Sequence, residues 1–144
     1  MAAFERAQDA LATSGEASPE SPAYRLDEGF LLSQRSDYLL LLDKPEQAAD
    51  AASAALGRFD AAYVGGHTRL SIRCGTAYLR CERVEEAAQV LGDAARFASH
   101  SPSVRLTREL CTVRAQMQRW RSTHPVKMLD EQLAAYGFEV PISD

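Results

Sequence analysis

Apolar residues recur at intervals of three and four along most of this chain, the spacing that places them on one face of an α-helix. Val126, Leu129, Leu133 and Tyr136 form one such stripe near the C-terminus. No segment combines a two-residue alternation of apolar and polar positions with flanking hairpin turns, the pattern typical of β-strands. The sequence therefore predicts an all-α protein.

Turn-forming residues divide the helical pattern into seven predicted helices. Residues 13–23 are rich in small, polar and proline residues and predict a loop after the first helix. Asp43 and Glu46 stand at the spacing of a capping box with a proline between them, which favours a helix start with Asp43 as its cap. Gly65 and Gly66 predict a kink or a late start in the fourth helix. The predicted helices cover residues 2–12, 24–42, 45–57, 60–80, 84–99, 102–121 and 125–137.

Landmark residues of one predicted helix pair reappear 39 positions later in the next pair. A fixed offset of this size is typical of helical-hairpin repeats, which stack into one continuous core. A chain of 144 residues has room for one such unit, so we predict a single domain. It would contain a trailing helix of a partial repeat (2–12), hairpins at 24–58 and 59–99, and a degenerate hairpin with a capping helix at 102–137. The matched pairs are Ser36 and Gly75, Leu39 and Tyr78, Ala48 and Ala87, Ala52 and Leu91, and Ala55 and Ala94.

The second member of each pair lies within residues 68–101, which resemble a tetratricopeptide repeat (TPR) in the order of their small, aromatic and alanine positions. Residues 29–62 resemble the repeat more weakly, and Arg35 stands where the pattern normally has a large apolar residue. The resemblance implies a right-handed TPR-like solenoid of about seven helices, closed by a C-terminal capping helix. It also implies recognition of other molecules rather than catalysis.

A narrower resemblance covers most of the chain. It connects the chain to the C-terminal TPR portion of actinobacterial regulators that carry an N-terminal helix-turn-helix domain. The resemblance implies the regulatory or scaffold part of a transcriptional regulator, or a stand-alone relative. No helix-turn-helix is visible in these residues, so we expect no direct binding of nucleic acid by this chain. The similar segments are residues 26–28, 44–49, 83–88, 104–121 and 129–133.

The net charge of −4 is unevenly distributed. Residues 1–50 hold four basic and ten acidic residues, whereas residues 101–127 hold six basic residues and one acidic residue. Such a basic segment is usually a solvated helix face, but it can also attract an acidic partner. The sequence shows neither a membrane-spanning apolar run nor a secretory signal, so we expect a cytoplasmic protein without membrane contact.

Residues that could support catalysis or metal binding are scattered. His67, His100 and His124 have no further ligand at metal-binding spacing, and no phosphate-binding motif is present. We interpret the three cysteines as reduced thiols that behave as small apolar residues. The sequence therefore predicts a protein that is not an enzyme and uses no cofactor or metal.

The first helices of successive hairpins usually form the concave binding face of such repeats. We expect a groove that is apolar at one end and arginine-rich at the other, suited to a protein or peptide with acidic groups. A sensor that encloses a small molecule or signalling peptide is the alternative, and homodimerisation stays open. The sequence also leaves open that the arginines only pair with acids of neighbouring helices. The predicted face comprises Phe30, Ser33, Asp37, Leu40 and Leu41, then Arg69, Ile72, Thr76, Leu79 and Arg80, then Arg108, Cys111, Ala115, Gln118 and Arg119.

Overall fold

A computed structural model describes residues 22–58, 64–101 and 103–139 of the chain. Those residues form α-helices with short connections and contain no β-strand, so the all-α prediction is confirmed. The helix predicted at 2–12 and most of the loop predicted at 13–23 lie outside the described residues. The elements are α1 (Pro22–Leu41), α2 (Pro45–Leu56), α3 (Val64–Arg80), α4 (Val84–His100), α5 (Val104–Ala115), a 3-10 turn (Gln118–Trp120) and α6 (His124–Ala135).

Helix α3 lies at the centre of the described chain, where it packs against α1, α2, α4 and α5. Helix α4 also packs against α5 and α6, which closes the core at the C-terminal side. None of the described helices combines the length and the hydropathy that crossing a membrane would require.

Two turns related by the 39-residue offset join the helices of the first two hairpins. Asp43 and Glu82 adopt left-handed backbone conformations, with φ of 57° and 60°. In each turn the next amide, that of Lys44 or Arg83, donates to a carbonyl five residues earlier, at 2.8 and 2.9 Å respectively. This is the pattern of a Schellman motif, which satisfies carbonyls left free at a helix end. The predicted role of Asp43 is therefore wrong: it ends α1, and Lys44 precedes α2 without a side-chain cap.

Three glycines lie near the end of α2 and the start of α3, and none of them requires a left-handed backbone in order to end a helix. Gly57 follows α2 as predicted, but its φ of −72° is right-handed, so any residue could adopt that conformation. Gly65 and Gly66 lie in the first turn of α3, where a glycine interrupts fewer helical contacts than in the middle of a helix.

Small residues allow the two helices of each of the first two hairpins to approach closely. A Cβ atom built on Gly75 of α3 would lie 2.7 Å from Cδ2 of the buried Leu91 on α4. At the matching position of the first hairpin, Ser36 is buried and its hydroxyl donates a 2.8 Å hydrogen bond to the carbonyl of Ala48. The predicted small positions thus lie at the helix contacts, as ridge-and-groove packing requires.

The third hairpin departs from the predicted helix at 102–121. Helix α5 ends at Ala115, and the chain continues into the 3-10 turn at Gln118–Trp120. This tighter path places Met117 in the core with α4 and α6 and packs Trp120 against the same cluster. No glycine or proline marks this helix end in the sequence. The helix ends here because Met117 and Trp120 pack into the core.

An ion pair replaces the small-residue contact in this third hairpin. Arg114 lies 39 residues after Gly75, and Asp130 lies 39 residues after Leu91. Nε and Nη2 of Arg114 donate to the two carboxylate oxygens of Asp130 at 2.5 and 2.8 Å, and Nη1 donates to Gln118 at 2.7 Å. Only 2% of Arg114 is exposed. The charged guanidinium is tolerated there because its donors are hydrogen-bonded to Asp130 and Gln118.

We expect Arg114→Met to lower the free energy of unfolding by about 2–4 kcal/mol, because it leaves the partly exposed Asp130 carboxylate without its buried partner. The double variant Arg114→Met/Asp130→Leu should recover most of that loss, since it removes both charges. Urea unfolding of the two variants measures the difference. Arg105→Met, which changes an exposed arginine of the same helix, is the matched control. Equal losses in the single and double variants would contradict the role of the pair.

Candidate binding groove

A groove of about 700 Å³ runs along the first helices of the three hairpins. Its walls come from α1, α3 and α5, in keeping with the packing of α3 against both neighbours. We call it the interhelix groove. The residues that line it are Leu40, Ile72, Arg73, Thr76, Val104, Arg105, Arg108, Glu109, Thr112 and Val113.

Four residues of the predicted face line this groove: Leu40, Ile72, Thr76 and Arg108. Asp37 adjoins the wall, because its carboxylate accepts a 2.5 Å hydrogen bond from Nη1 of the groove residue Arg73. The first two hairpins therefore place part of the predicted face together.

The remaining predicted residues lie elsewhere. Leu41 is 83% exposed and Arg69 is exposed, and neither is among the groove residues. Leu79 is buried in the core instead of facing a ligand. Gln118 and Arg119 belong to the 3-10 turn and make contacts within the fold.

Arg80 and Arg119 follow the alternative that the sequence left open. Arg80 donates to the Asp43 carboxylate at 2.7 Å and to the Leu40 carbonyl at 3.0 Å. Arg119, which lies 39 residues later, pairs with Glu82 and stacks over Trp120. Each arginine thus connects its hairpin to the left-handed turn of the preceding one. Both guanidinium groups are therefore occupied by contacts within the fold.

Sequence reasoning missed six groove residues, most of them on α5. The offset of 39 predicts that Arg108, Cys111 and Ala115 face the groove. In the structure the groove is lined instead by pairs of α5 residues that recur every four positions, beginning at Val104 and Arg105. The repetition of apolar, basic and threonine positions along one face of α5 was the available signal. The missed residues are Arg73, Val104, Arg105, Glu109, Thr112 and Val113.

The groove combines an apolar base with an unequal distribution of charge. Ile72 and Val113 are buried beneath it. Arg105 pairs loosely with Glu109 at 3.4 Å, whereas Arg108 is exposed and has no ion-pair partner among the residues that the structure describes. Nε of Arg73 is also buried without a hydrogen-bond acceptor in that part of the chain. The arrangement therefore offers cationic donors above an apolar surface.

The three thiols are free, and burial raises the pKa of each. The effect is largest at Cys74, where burial raises the pKa to about 11 against a partial lowering by a hydrogen bond with Tyr78. A raised pKa leaves less thiolate at neutral pH, so these thiols are poor nucleophiles there. In the described ranges no three histidine, cysteine or acidic residues are grouped as a metal ion would need.

Comparison of the chain with protein families, curated proteins and solved structures finds no match. The relation to TPR proteins therefore stays a prediction from the sequence.

We expect stability to fall between about pH 9 and 11, because the unfolded chain releases the Cys74 proton in that range while the folded chain retains it. Cys74→Ala removes this contribution. From pH 8 to 10.5 the variant should therefore lose about 1–2 kcal/mol less of its free energy of unfolding than the unsubstituted chain. Urea unfolding at the two pH values measures the difference, with the less buried Cys81→Ala as control. Parallel pH profiles for the Cys74 variant and the unsubstituted chain would contradict it.

Proposed function

We propose that this chain is a TPR-like interaction module that binds an acidic segment of another protein in the interhelix groove. The observation that carries the proposal is the exposed Arg108, which has no ion-pair partner among the described residues and lies beside an apolar base that contains Ile72 and Val113. An apolar side chain of the partner would cover the base. A neighbouring Asp or Glu would form a two-pronged hydrogen bond with the guanidinium, which strengthens and orients the contact.

The position of the groove supports a segment of chain as its occupant. Residues of three successive hairpins line it, so a bound segment would contact the array along several helices. The lining mixes apolar and polar side chains, which suits a peptide whose own side chains alternate in polarity.

The proposal treats the chain as a non-enzymatic regulatory or scaffold part, and the connection with transcriptional regulators rests on the sequence resemblance alone. Each of the two turns has an acidic residue with a left-handed backbone that accepts a hydrogen bond from an arginine of the next hairpin. This similarity supports a repeat of hairpins. Free thiols are in keeping with a reducing compartment such as the cytoplasm.

A small-molecule sensor is the second candidate. The groove volume of about 700 Å³ lies within the range of sites that hold drug-sized ligands. A small anionic metabolite would use the same arginine and the same apolar base. Thermal denaturation with a metabolite panel tests this function, and stabilisation by a metabolite without any peptide binding would favour it.

We expect selection from a random 12-residue peptide library to enrich sequences that place Asp or Glu near Leu, Ile or Val. A selected peptide should bind Arg108→Glu about tenfold more weakly than the unsubstituted chain, because the substitution places like charges together. Fluorescence anisotropy with the labelled peptide measures the affinity. Raising the salt concentration should weaken binding to the unsubstituted chain more than binding to the variant.

Lys127→Glu provides the matched control, since it makes the same change of charge at an exposed position of α6 that does not line the groove. Equal weakening by the two substitutions would show a general charge effect and contradict the site. Thr76→Trp tests the shape of the groove, because the larger side chain would occupy its volume. Unchanged affinity for that variant would place the peptide elsewhere.

A further inference from the structure

Arginines lie at the end of the interhelix groove where α3 and α5 begin. Short connections at residues 81–83 and 101–103 reverse the chain twice between these helices, so α3 and α5 run in the same direction. On α5, Arg105 and Arg108 line this end of the groove. On α3, Arg69 lies one turn before the groove residues Ile72 and Arg73, on the same face of the helix, so it continues that wall.

Arg69 and Arg108 are matching residues of neighbouring hairpins, because they are 39 positions apart. Helices α3 and α5 pack against each other, so the two arginines belong to neighbouring walls at the same end of the groove. Both side chains are exposed. Neither guanidinium has an ion-pair or hydrogen-bond partner in the part of the chain that the structure describes, which leaves both available to a ligand.

Arg105 adds a third cation, and its internal partner is weak. Its Nε lies 3.4 Å from Oε1 of Glu109, and 78% of the side chain is exposed. Exposed pairs of this kind contribute little, so a stronger acceptor can replace Glu109. Arg73 is different, because the Asp37 carboxylate accepts a 2.5 Å hydrogen bond from it. We call three arginines the cationic end of the groove: Arg69, Arg105 and Arg108.

The cationic end and Glu109 together have a net charge of +2. A carboxylate carries one negative charge and has two oxygens, and a fork with a single arginine uses both of them. A phosphorylated serine or threonine carries about −1.5 to −2 at pH 7 and has three acceptor oxygens. These oxygens point in different directions from the phosphorus, so one phosphate group can accept from two guanidinium groups. A phosphate group therefore matches the cationic end in both charge and number of acceptors.

We propose that the cationic end binds the phosphate group of a phosphoserine or phosphothreonine in the partner segment. An apolar side chain of the same segment covers the base at Ile72 and Val113. This inference rests on the proposed function and narrows it, because an Asp or Glu at the same place leaves part of the positive charge unmatched. Phosphorylation of the partner therefore strengthens its binding to the groove.

Three forms of one peptide test the class of ligand. The probe is a peptide selected as described above, in which the acidic residue whose contribution depends on Arg108 is made phosphoserine, glutamate or serine. The phosphoserine form should bind about tenfold more tightly than the glutamate form, because it engages a second guanidinium, and the serine form should bind most weakly. Fluorescence anisotropy at constant ionic strength measures the three affinities.

The three affinities also separate this inference from the proposed function. Equal binding of the phosphoserine and glutamate forms would overturn the inference and leave the groove function standing. Failure of all three forms to bind would overturn both.

Substitutions at the cationic end test which guanidinium groups take part. Arg69→Gln and Arg105→Gln should each weaken the phosphoserine form about tenfold and the glutamate form only about twofold, because a carboxylate is held mainly by Arg108. Both positions are exposed, so the variants should keep the fold, which circular dichroism checks. Lys127→Gln removes the same charge outside the groove and is the matched control. Equal weakening of the two forms by the cationic-end variants would contradict a phosphate site.

The pH dependence distinguishes a doubly charged ligand. The second pKa of a phosphate ester is about 6, so lowering the pH from 7.5 to 5.5 should weaken the phosphoserine form about threefold. The glutamate form should change little, because its carboxyl group stays ionised. No described histidine lines the groove. The same pH profile for both forms would contradict the dianion. The charged groups in and beside the groove are Asp37, Arg69, Arg73, Arg105, Arg108 and Glu109.

Inorganic phosphate distinguishes a protein segment from a small phosphorylated molecule. It lacks the apolar side chain that covers the base, so it should displace the labelled phosphoserine peptide only at concentrations about tenfold to a hundredfold higher than the unlabelled peptide requires. Displacement at equal concentrations would show that the cationic end takes a small anion, and it would overturn the assignment to a protein segment.

Discussion

The close contact between the two helices of each of the first two hairpins is the constraint on which the rest of the structure depends. At Gly75 the backbone of α3 comes so near to Leu91 that a Cβ atom would lie 2.7 Å from the leucine side chain. This contact fixes α3 against α4, and α3 in turn supports α1, α2 and α5. The interhelix groove exists because α1 and α5, the first helices of the other two hairpins, both pack against α3.

The two helices of the third hairpin, α5 and α6, are joined by different chemistry. Arg114 and Asp130 occupy the positions of Gly75 and Leu91, and their hydrogen bonds replace a contact between small and apolar groups. A buried guanidinium is tolerated only when its donors are satisfied, and here Asp130 and Gln118 accept from it. The ion pair therefore connects α5 to α6 at positions where the first two hairpins have small and apolar residues.

Arginines serve two different purposes along the chain. Arg80 and Arg119 hold the preceding turns through Asp43 and Glu82, acids whose left-handed backbones cost about 1–2 kcal/mol each. Exposed ion pairs contribute little to the free energy of unfolding. These two arginines are therefore notable mainly because they make the same contact at two positions 39 residues apart. Arg108 differs because no acid among the described residues pairs with it, which leaves it available to a carboxylate.

The helical class, most helix boundaries and the positions of the two turns 39 residues apart follow from the amino-acid sequence, because spacing and turn residues act locally. It also placed Leu40, Ile72, Thr76 and Arg108 on one face. The end of α5 and the side of it that faces the groove depend on the folded structure. The same is true of which arginines form ion pairs with acids of other helices. Those outcomes depend on the burial of Met117 and on carboxylates distant in sequence, and no local pattern contains that information.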